Sequence, residues 1–177
     1  DRSTCVLFGD GAGAAILKRA EEGEGKILAT DIGTDGGQTD LLNIPGGGSA
    51  CPITIENADQ RLATLAMVGG DVFKQAVTRM RDSANSVIER SGLKPEDIKL
   101  LIPHQANLRI IEAITKRIEI PEERVFVNLH KYGNTSAAAC AIALDEAHRA
   151  DKFGRGDHIV LVAFGAGLTW AAAAIRW

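Results

Sequence analysis

Apolar runs of strand length alternate with amphipathic helical patterns along most of this sequence, and this alternation limits the fold more than any other feature. Between residues 70 and 90 the apolar side chains recur at steps of three and four, which predicts a helix. The run 98–102 is short, apolar and followed by Pro103, which is typical of a buried strand. Further strands are predicted over 26–31, 125–127, 159–164 and 169–177, and further helices from Ala106 or Asn107 to Ile118 and from Ser136 to Arg149. The pattern therefore predicts an α/β fold with helices on the faces of a sheet.

The two later helices are expected to bury different kinds of surface. Four branched residues of the first of them are predicted to point inward: Leu108, Ile111, Ile114 and Ile118. The helix from Ser136 is mostly alanine in its early turns, so something should pack very close to it.

Composition and charge exclude several function classes. The 177 residues carry a net charge of −3, so the chain lacks the basic stripe that nucleic acid requires. No apolar run approaches the roughly 20 residues of a membrane span, and no signal peptide pattern opens the sequence. We therefore expect a cytoplasmic protein with neither nucleic acid nor membrane as a partner. The missing initiator Met favours the interior of a longer polypeptide.

A glycine pattern occurs twice, near the two ends of the chain. Phe8-Gly9-Asp10-Gly11 and Phe164-Gly165-Ala166-Gly167 both follow an apolar run and lead into an alanine-rich one. Each predicts a strand–turn–strand hairpin, and the repetition suggests two homologous halves. On this interpretation residues 1–18 are the terminal hairpin of a first half, residues 19–25 are a linker and residues 26–177 are the second half. The first pattern lacks the spacing and the following helix of a dinucleotide site.

Two polar side chains stand at strand-to-helix junctions. His104 follows the predicted strand 98–102, and Asn134 precedes the alanine-rich helix. Taken singly, His104 could be a capping or exposed residue, and Asn134 an N-cap of the helix. Because ligands of α/β folds bind at the carboxyl ends of strands, the two N–H donors could instead converge on one developing enolate or oxyanion.

The three cysteines do not complete such a site. Cys5, Cys51 and Cys140 are widely spaced, which indicates neither a disulfide framework nor a zinc site. We expect reduced thiols. Lys74 and Arg109 are either solvated helix residues or part of a docking patch for an acidic carrier protein.

Five segments in order resemble the 3-oxoacyl-[acyl-carrier-protein] synthase III family, whose members have a thiolase fold. They are 9–14 (GDGAGA), 72–74 (VFK), 103–111 (PHQANLRII), 132–138 (YGNTSAA) and 164–170 (FGAGLTW). The resemblance implies the C-terminal half of a thiolase-like α/β fold: a mixed five-stranded sheet with helices on both faces, plus the last hairpin of the N-terminal half. Related elongating enzymes use two histidines, so Asn134 favours type III.

The resemblance also implies a reaction. A cysteine of the N-terminal half accepts an acyl group from acyl-CoA, and malonyl-ACP is decarboxylated to an enolate that attacks it. His104 and Asn134 would stabilise the enolate, and the backbone N–H of Ala166 would serve the oxyanion. The remaining roles implied are a substrate and CoA channel lined by Gly69, Phe73, Ala106, Asn107 and Phe164, and a carrier-docking face with Lys74 and Arg109. No metal and no cofactor beyond these substrates is implied.

Partners follow from the same resemblance. They are the acyl carrier protein, an N-terminal half or companion chain with the catalytic cysteine, and a second copy of the full protein as a homodimer. The chain alone is expected to be inactive and to expose a large apolar face. Two alternatives remain open: a related acyltransferase that does not decarboxylate, and a non-catalytic module for dimerisation or carrier docking.

Overall fold

The computed structural model describes residues 4–21 and 23–177. Its strands are β1 (Lys26–Thr34), β2 (Leu42–Asn43), β3 (Ala66–Met67), β4 (Ile98–Pro103), β5 (His158–Gly165) and β6 (Thr169–Arg176). Its α-helices are α1 (Gly69–Arg90), α2 (Leu108–Ile118), α3 (Leu129–Tyr132) and α4 (Ala138–Arg149). Short 3-10 helices occupy Gly36–Leu41, Ala58–Gln60, Pro95–Asp97 and Glu122–Arg124. The predicted mixture of helices and strands is confirmed.

The main sheet is mixed and has the strand order β1-β6-β5-β4. The β1–β6 and β6–β5 pairs are antiparallel, and β5 and β4 are parallel. The expected fifth strand, 125–127, is reduced in the described residues to a single bridge between Val125 and Leu101. The ladder stops there because the Gln105 side chain takes up the next backbone groups: it donates to the Phe126 carbonyl and accepts from the Asn128 N–H.

From Leu100 onward the side chains of β4 alternate between the two faces of the sheet, as the pleat requires, and a register irregularity between Ile98 and Leu100 puts Ile98 on the same face as Leu101. In β4, Ile98 and Leu101 lie in the core under α1 and α2, whereas Leu100 and Ile102 lie in a second core that includes Ala143 of α4. The residues of both cores are almost fully buried. Helix α1 packs on one face of the β4–β5 region and α4 on the other, so helices cover both faces as predicted.

Helix α1 follows the predicted pattern closely. Its buried stripe consists of Val72, Ala76, Val77, Met80, Ser83, Ala84, Val87 and Ile88. Gly92 ends the helix at φ +69°, with its N–H bonded to the Glu89 carbonyl and the Leu93 N–H bonded to that of Ile88. Glycine adopts this left-handed conformation without steric cost, which explains the sharp C-terminus.

In helix α2, one of the four residues predicted to point inward is exposed. Ile111, Ile114 and Ile118 are buried as predicted, but Leu108 is 48% exposed. At about 100° per residue, Leu108 points roughly 120° away from Ile114, the centre of the stripe, and Ile110 takes the inward place instead.

The predicted N-terminal hairpin is wrong. Residues 9–21 contain no strand, and Phe8 makes one bridge, to Asn134. The segment instead runs across the start of α4, where a Cβ on Gly13 would overlap Ala141. This contact confirms that another part of the chain approaches the alanine-rich helix closely. Residues 1–3 of the expected hairpin and Glu22 of the expected linker lie outside the described residues, and the division at 18, 25 and 26 stays a prediction.

Helix α4 begins two residues later than predicted. Ser136 has φ +53°, a left-handed conformation incompatible with a helix interior, and the first helical residue is Ala138. Neither Asn134 nor Thr135 acts as the N-cap residue of this helix, which is Ala137.

Several large apolar side chains are exposed. They include Ile16 at 96%, Ile32 at 81% and Leu17 at 80%. The side chain of Asp31 bonds to Ser83 of α1, so Ile32 points to the opposite face of β1. Helix α4 packs on β4 and β5, away from this edge of the sheet.

Candidate active site

A cavity of about 630 Å³ lies at the carboxyl ends of β4 and β5. Its volume is in the usual range for a small-molecule site. Most of the residues predicted from sequence line it together: His104, Asn134, Ala166, Gly69, Phe73, Ala106, Asn107, Phe164 and Arg109. Residues separated by up to 97 positions in sequence thus meet at one cavity.

His104 is held by the end of the parallel ladder. Its N–H donates to the Val162 carbonyl at 2.8 Å, and its own carbonyl accepts from Ala106 at 2.9 Å. Burial lowers the pKa of the imidazole below its ordinary value of 6.5. At neutral pH the side chain is therefore uncharged and offers one N–H donor.

Asn134 is fixed on both sides of its backbone. Its N–H donates to the Leu7 carbonyl at 2.8 Å, and its carbonyl accepts from the Gly9 N–H at 3.0 Å. Gly133 precedes it at φ +68° and ψ −160°, a conformation that is essentially restricted to glycine. The turn therefore has little freedom to move.

The orientation of the Asn134 carboxamide is also set. Its Oδ1 accepts a hydrogen bond from the Ser136 N–H at 2.9 Å. The remaining hydrogen-bonding group of the amide is the Nδ2 pair of donors. Asn134 lines the cavity, and Nδ2 is the group of this amide that can be offered to a ligand there.

The N-terminal ends of two long helices add to this polarity. Gly69 and Gly70 of α1 line the cavity, as does Asn107, the N-cap of α2, whose Oδ1 accepts from the Arg109 N–H. Helix N-termini carry partial positive charge, which favours negative charge on a ligand and disfavours protonation of a nearby imidazole.

Ala166 lies in the turn between β5 and β6 and is exposed to the cavity. Its carbonyl accepts from the Thr169 hydroxyl at 2.8 Å, which holds the turn. The backbone rather than the side chain is what this residue offers to a ligand.

The walls of the cavity are largely apolar, and sequence reasoning missed many of these residues. They are Leu7, Phe8, Leu42, Leu65, Met67, Val72, Ala76, Met80 and Ile110, with Gly70, Ser136 and Gly165 completing the lining. Leu42 and Met67 pair in the small β2–β3 sheet, and Leu42 lies within the glycine-rich stretch 33–52, whose sequence predicts a loop with no regular element. An isolated leucine pair within a glycine-rich, polar stretch, Leu41-Leu42, is the signal that could have indicated Leu42.

Some predicted residues lie elsewhere. Lys74 pairs with Asp71 at 3.0 Å on the exposed side of α1 and is not brought to the cavity. The cavity lining, as drawn from the described residues, includes none of the three cysteines. Burial raises the pKa of the Cys140 thiol to about 11, so this thiol is protonated at neutral pH.

Comparisons with known proteins agree with this architecture. The family described as 3-oxoacyl-[acyl-carrier-protein (ACP)] synthase III C terminal matches residues 88–177, and that described as 3-oxoacyl-[acyl-carrier-protein (ACP)] synthase III matches residues 1–36. The chain is 55% identical, over its full length and 53% of the relative, to a beta-ketoacyl-[acyl-carrier-protein] synthase III of Caldanaerobacter subterraneus subsp. tengcongensis. It is 51% identical, over its full length and 54% of the relative, to one of Roseiflexus sp..

A solved structure shows the same fold. The 3-oxoacyl-[acyl-carrier-protein] synthase III of Aquifex aeolicus superposes with a TM-score of 0.88 and 46% identity, covering all of this chain and 52% of that one. The fold and cavity thus define a thiolase-like α/β protein. Within that class, the chain belongs to the 3-oxoacyl-[acyl-carrier-protein] synthase III family. It spans about half the length of the curated relatives it matches.

None of the helices in the described part of the chain combines the length and the apolar character that a bilayer crossing demands.

Proposed function

We propose that this chain is the C-terminal half of a beta-ketoacyl-ACP synthase III and supplies the residues that decarboxylate malonyl-ACP. The observation that carries the proposal is that two uncharged side chains with N–H donors line one largely apolar cavity: a neutral imidazole at His104 and a carboxamide whose oxygen is already bonded at Asn134. The relatives' names supply the substrate class.

In the proposed reaction the bond between the malonyl Cα and its carboxylate breaks, and CO₂ leaves. The electron pair forms an enolate of the acetyl thioester, whose oxygen accepts hydrogen bonds from His104 and Asn134. The enolate carbon then attacks the carbonyl of an acyl-cysteine, and the tetrahedral oxyanion accepts a bond from the Ala166 N–H. This attack forms the new C–C bond; collapse of the tetrahedral intermediate then re-forms the ketone C=O, breaks the C–S bond and releases the cysteine thiolate.

Uncharged donors suit the first step. A neutral imidazole does not attract the malonyl carboxylate as a cation would, so it favours the enolate over the ground state. The largely apolar walls exclude water and strengthen hydrogen bonds to the developing charge. They also suit a pantetheine arm, which is long and only weakly polar.

The nucleophile is proposed to come from an N-terminal half or a companion chain. The protonated thiol of Cys140 does not suit this role. The exposed apolar side chains, among them Ile32 and Leu17, support such a partner, because large exposed apolar patches mark interaction sites. On this proposal the chain alone does not condense.

Carrier docking is proposed at the mouth of the cavity, around Arg109. The side chain of Arg109 is exposed and lines the cavity, whereas the charge of Lys74 is offset by Asp71. Arg109→Glu should therefore raise the KM for malonyl-ACP more than Lys74→Glu does. Equal effects of the two substitutions would argue against a docking site centred on Arg109.

The test of the reaction uses Asn134→Ala in the full-length protein. CO₂ release from malonyl-ACP should fall about 10²–10³-fold, because one of the two enolate donors is lost. Transfer of the acyl group from acyl-CoA to the cysteine should continue. Asn85→Ala, an exposed position on α1, is the matched control and should leave both steps unchanged.

The outcomes separate the alternatives. Undiminished CO₂ release in Asn134→Ala would refute the role of this residue. Acyl transfer without any CO₂ release by the wild-type protein would indicate the non-decarboxylating acyltransferase, and carrier binding without either step would indicate a docking module.

A further inference from the structure

The carboxamide of Gln105 is buried directly after His104. Its side chain belongs to a residue with 1% of its surface exposed, and it makes four hydrogen bonds to backbone groups. Nε2 donates to the carbonyls of Pro103 at 2.8 Å and Phe126 at 3.1 Å. Oε1 accepts from the N–H groups of Asn128 at 3.0 Å and Leu129 at 3.1 Å. Every donor and acceptor position of the amide is thereby used.

These four bonds join the two loops that carry the proposed donors. Pro103 ends the strand before His104, and residues 126–129 lead toward Asn134. The Leu129 carbonyl in turn accepts the Gly133 N–H at 2.8 Å, immediately before Asn134. A short series of hydrogen bonds therefore runs from the residue after His104 to the residue before Asn134.

The same segment is held from the other side by α4. The Asn128 side chain, in a residue only 2% exposed, donates to Glu146 at 2.9 Å. Glu146 also accepts from the Tyr132 hydroxyl at 2.5 Å and from Lys131 at 3.2 Å. Residues 128–132 are thus fixed between Gln105 and α4.

Gln105 takes the place of a longer strand pairing. In the described residues the backbone pairing of β4 with 125–127 is limited to the Val125 bridge, after which side-chain bonds take over. Further ladder bonds would have continued the chain along the sheet edge. Bonds from one side chain allow it to turn into α3 and toward the cavity instead.

We propose that Gln105 is a positioning residue that sets the separation and orientation of the His104 imidazole and the Asn134 carboxamide. The inference rests on the proposed function, in which these two groups act on one enolate. A misplacement of about 1 Å can lower a rate about 10²-fold, so loss of these bonds should affect decarboxylation far more than acyl transfer.

The main test uses Gln105→Glu, which keeps the shape of the side chain, in the full-length protein. A carboxylate cannot donate to Pro103 or Phe126, so CO₂ release from malonyl-ACP at neutral pH should fall about 10²-fold. Protonation restores one donor, so the rate of this variant relative to wild type should rise as the pH is lowered. The rate is expressed per acyl-enzyme formed with acyl-CoA, which counts folded sites, and on this basis a purely structural role predicts no such pH-dependent recovery.

A second variant, Gln105→Met, removes all four bonds without adding charge. Rates are divided by the amount of acyl-enzyme formed in a burst with acyl-CoA, which counts folded sites and corrects for misfolded protein. The double variant with Asn134→Ala should be no slower than Asn134→Ala alone, because Gln105 acts through the pair that this substitution has already broken. Gln60→Met, at an exposed position, is the control and should match wild type.

Failure of the inference and failure of the proposed function give different results. If Asn134→Ala releases CO₂ at the wild-type rate, the proposed function is refuted. If Asn134→Ala is slow while the Gln105 variants retain the wild-type rate per folded site, the positioning role alone is refuted. A double variant in which the two losses multiply would also overturn it, since independent effects do not indicate positioning of one pair.

Discussion

Two segments of this chain share the pattern Phe-Gly-x-Gly and fold differently. Residues 164–167 close the hairpin between β5 and β6, whereas residues 8–11 cross the start of α4 without forming a strand. Both phenylalanines line the same cavity, but Phe8 is 44% exposed and Phe164 is 8% exposed. The same four-residue pattern therefore forms a turn in one place and an irregular segment packed near the start of α4 in the other.

The glycines explain the difference. Gly167 is needed for its conformation, since its φ of +136° is one that other residues rarely adopt. Gly9 is needed for space, since a Cβ at this position would overlap the backbone carbonyl of Tyr132. The sequence pattern indicates only that glycine is required at these positions. Whether it is required for its backbone conformation or for space depends on the residues that surround each glycine.

The comparison predicts that Gly9→Ala has the larger effect on catalysis. The added methyl group meets backbone, and the Tyr132 carbonyl can move only together with Gly133 and Asn134. The substitution also disturbs the Gly9 N–H that bonds to the Asn134 carbonyl. We expect CO₂ release from malonyl-ACP by the full-length protein to fall about 10²-fold.

Gly154→Ala is the control for this prediction, because a Cβ at Gly154 meets nothing within 4 Å. It should release CO₂ at the wild-type rate. A Gly9→Ala protein with normal CO₂ release would show that the segment 8–11 does not position Asn134.

At the other segment, Gly167→Ala should act mainly on stability. An alanine forced to φ +136° is strained, and its Cβ would press against Thr169. We expect the free energy of unfolding, measured by urea denaturation, to fall by about 1–3 kcal/mol. CO₂ release should fall less than in Gly9→Ala, because His104 and Asn134 are held by other contacts.

Gly165→Ala provides the matched comparison for stability within the same turn. Its Cβ would make only an ordinary contact with Thr169, at 4.0 Å. Equal losses of stability in the two variants would mean that the backbone conformation of Gly167 is not the source of its effect.

Elements specified by local pattern were predictable from the sequence. The periodicity of α1 and the apolar runs of β4 and β5 depend on residues close in sequence, and the structure confirms them. The reduction of the expected strand 125–127 to a single bridge was not predictable, because the hydrogen bonds that replace the strand come from the Gln105 side chain, about 20 residues away. The N-terminal hairpin failed for a similar reason: α4 offers the segment a closer packing partner.

The residues of the candidate site also divide into those that local sequence predicts and those that depend on distant parts of the chain. His104 and Asn134 follow from their places at strand-to-helix junctions, and the structure puts both on one cavity. Met67 could not be assigned, because only its pairing with Leu42, through the fold of the intervening loop, brings it to the wall. The pairing of Lys74 with Asp71 was missed although the sequence contains it, since opposite charges three residues apart on a helix are neighbours.

The smallest expected effect concerns how far each phenylalanine shields His104 from water. Burial lowers the pKa of this imidazole, and a less buried group should titrate closer to 6.5. Because Phe164 is almost fully buried and Phe8 is half exposed, Phe164→Ala should raise the pKa of His104 more than Phe8→Ala does. NMR titration of the His104 ring measures both shifts. Equal shifts would indicate that the two segments wall the cavity equally.

The same difference should appear in the pH dependence of stability. Because the pKa of His104 is lowered in the folded state, this histidine binds its proton at a lower pH in the folded protein than in the unfolded chain, where its pKa is about 6.5. The unfolded state then holds more protons, so the free energy of unfolding decreases with falling pH until the folded imidazole also titrates. If a substitution raises the folded-state pKa of His104 by one unit toward 6.5, the acid-induced loss in the free energy of unfolding becomes smaller by about 1.4 kcal/mol. Urea denaturation between pH 7.5 and about 5 should therefore give a flatter slope for Phe164→Ala than for Phe8→Ala, and His104→Gln should remove the contribution from both. A slope unaffected by His104→Gln would mean that another group is responsible, and the two phenylalanines would then have to be compared by NMR alone.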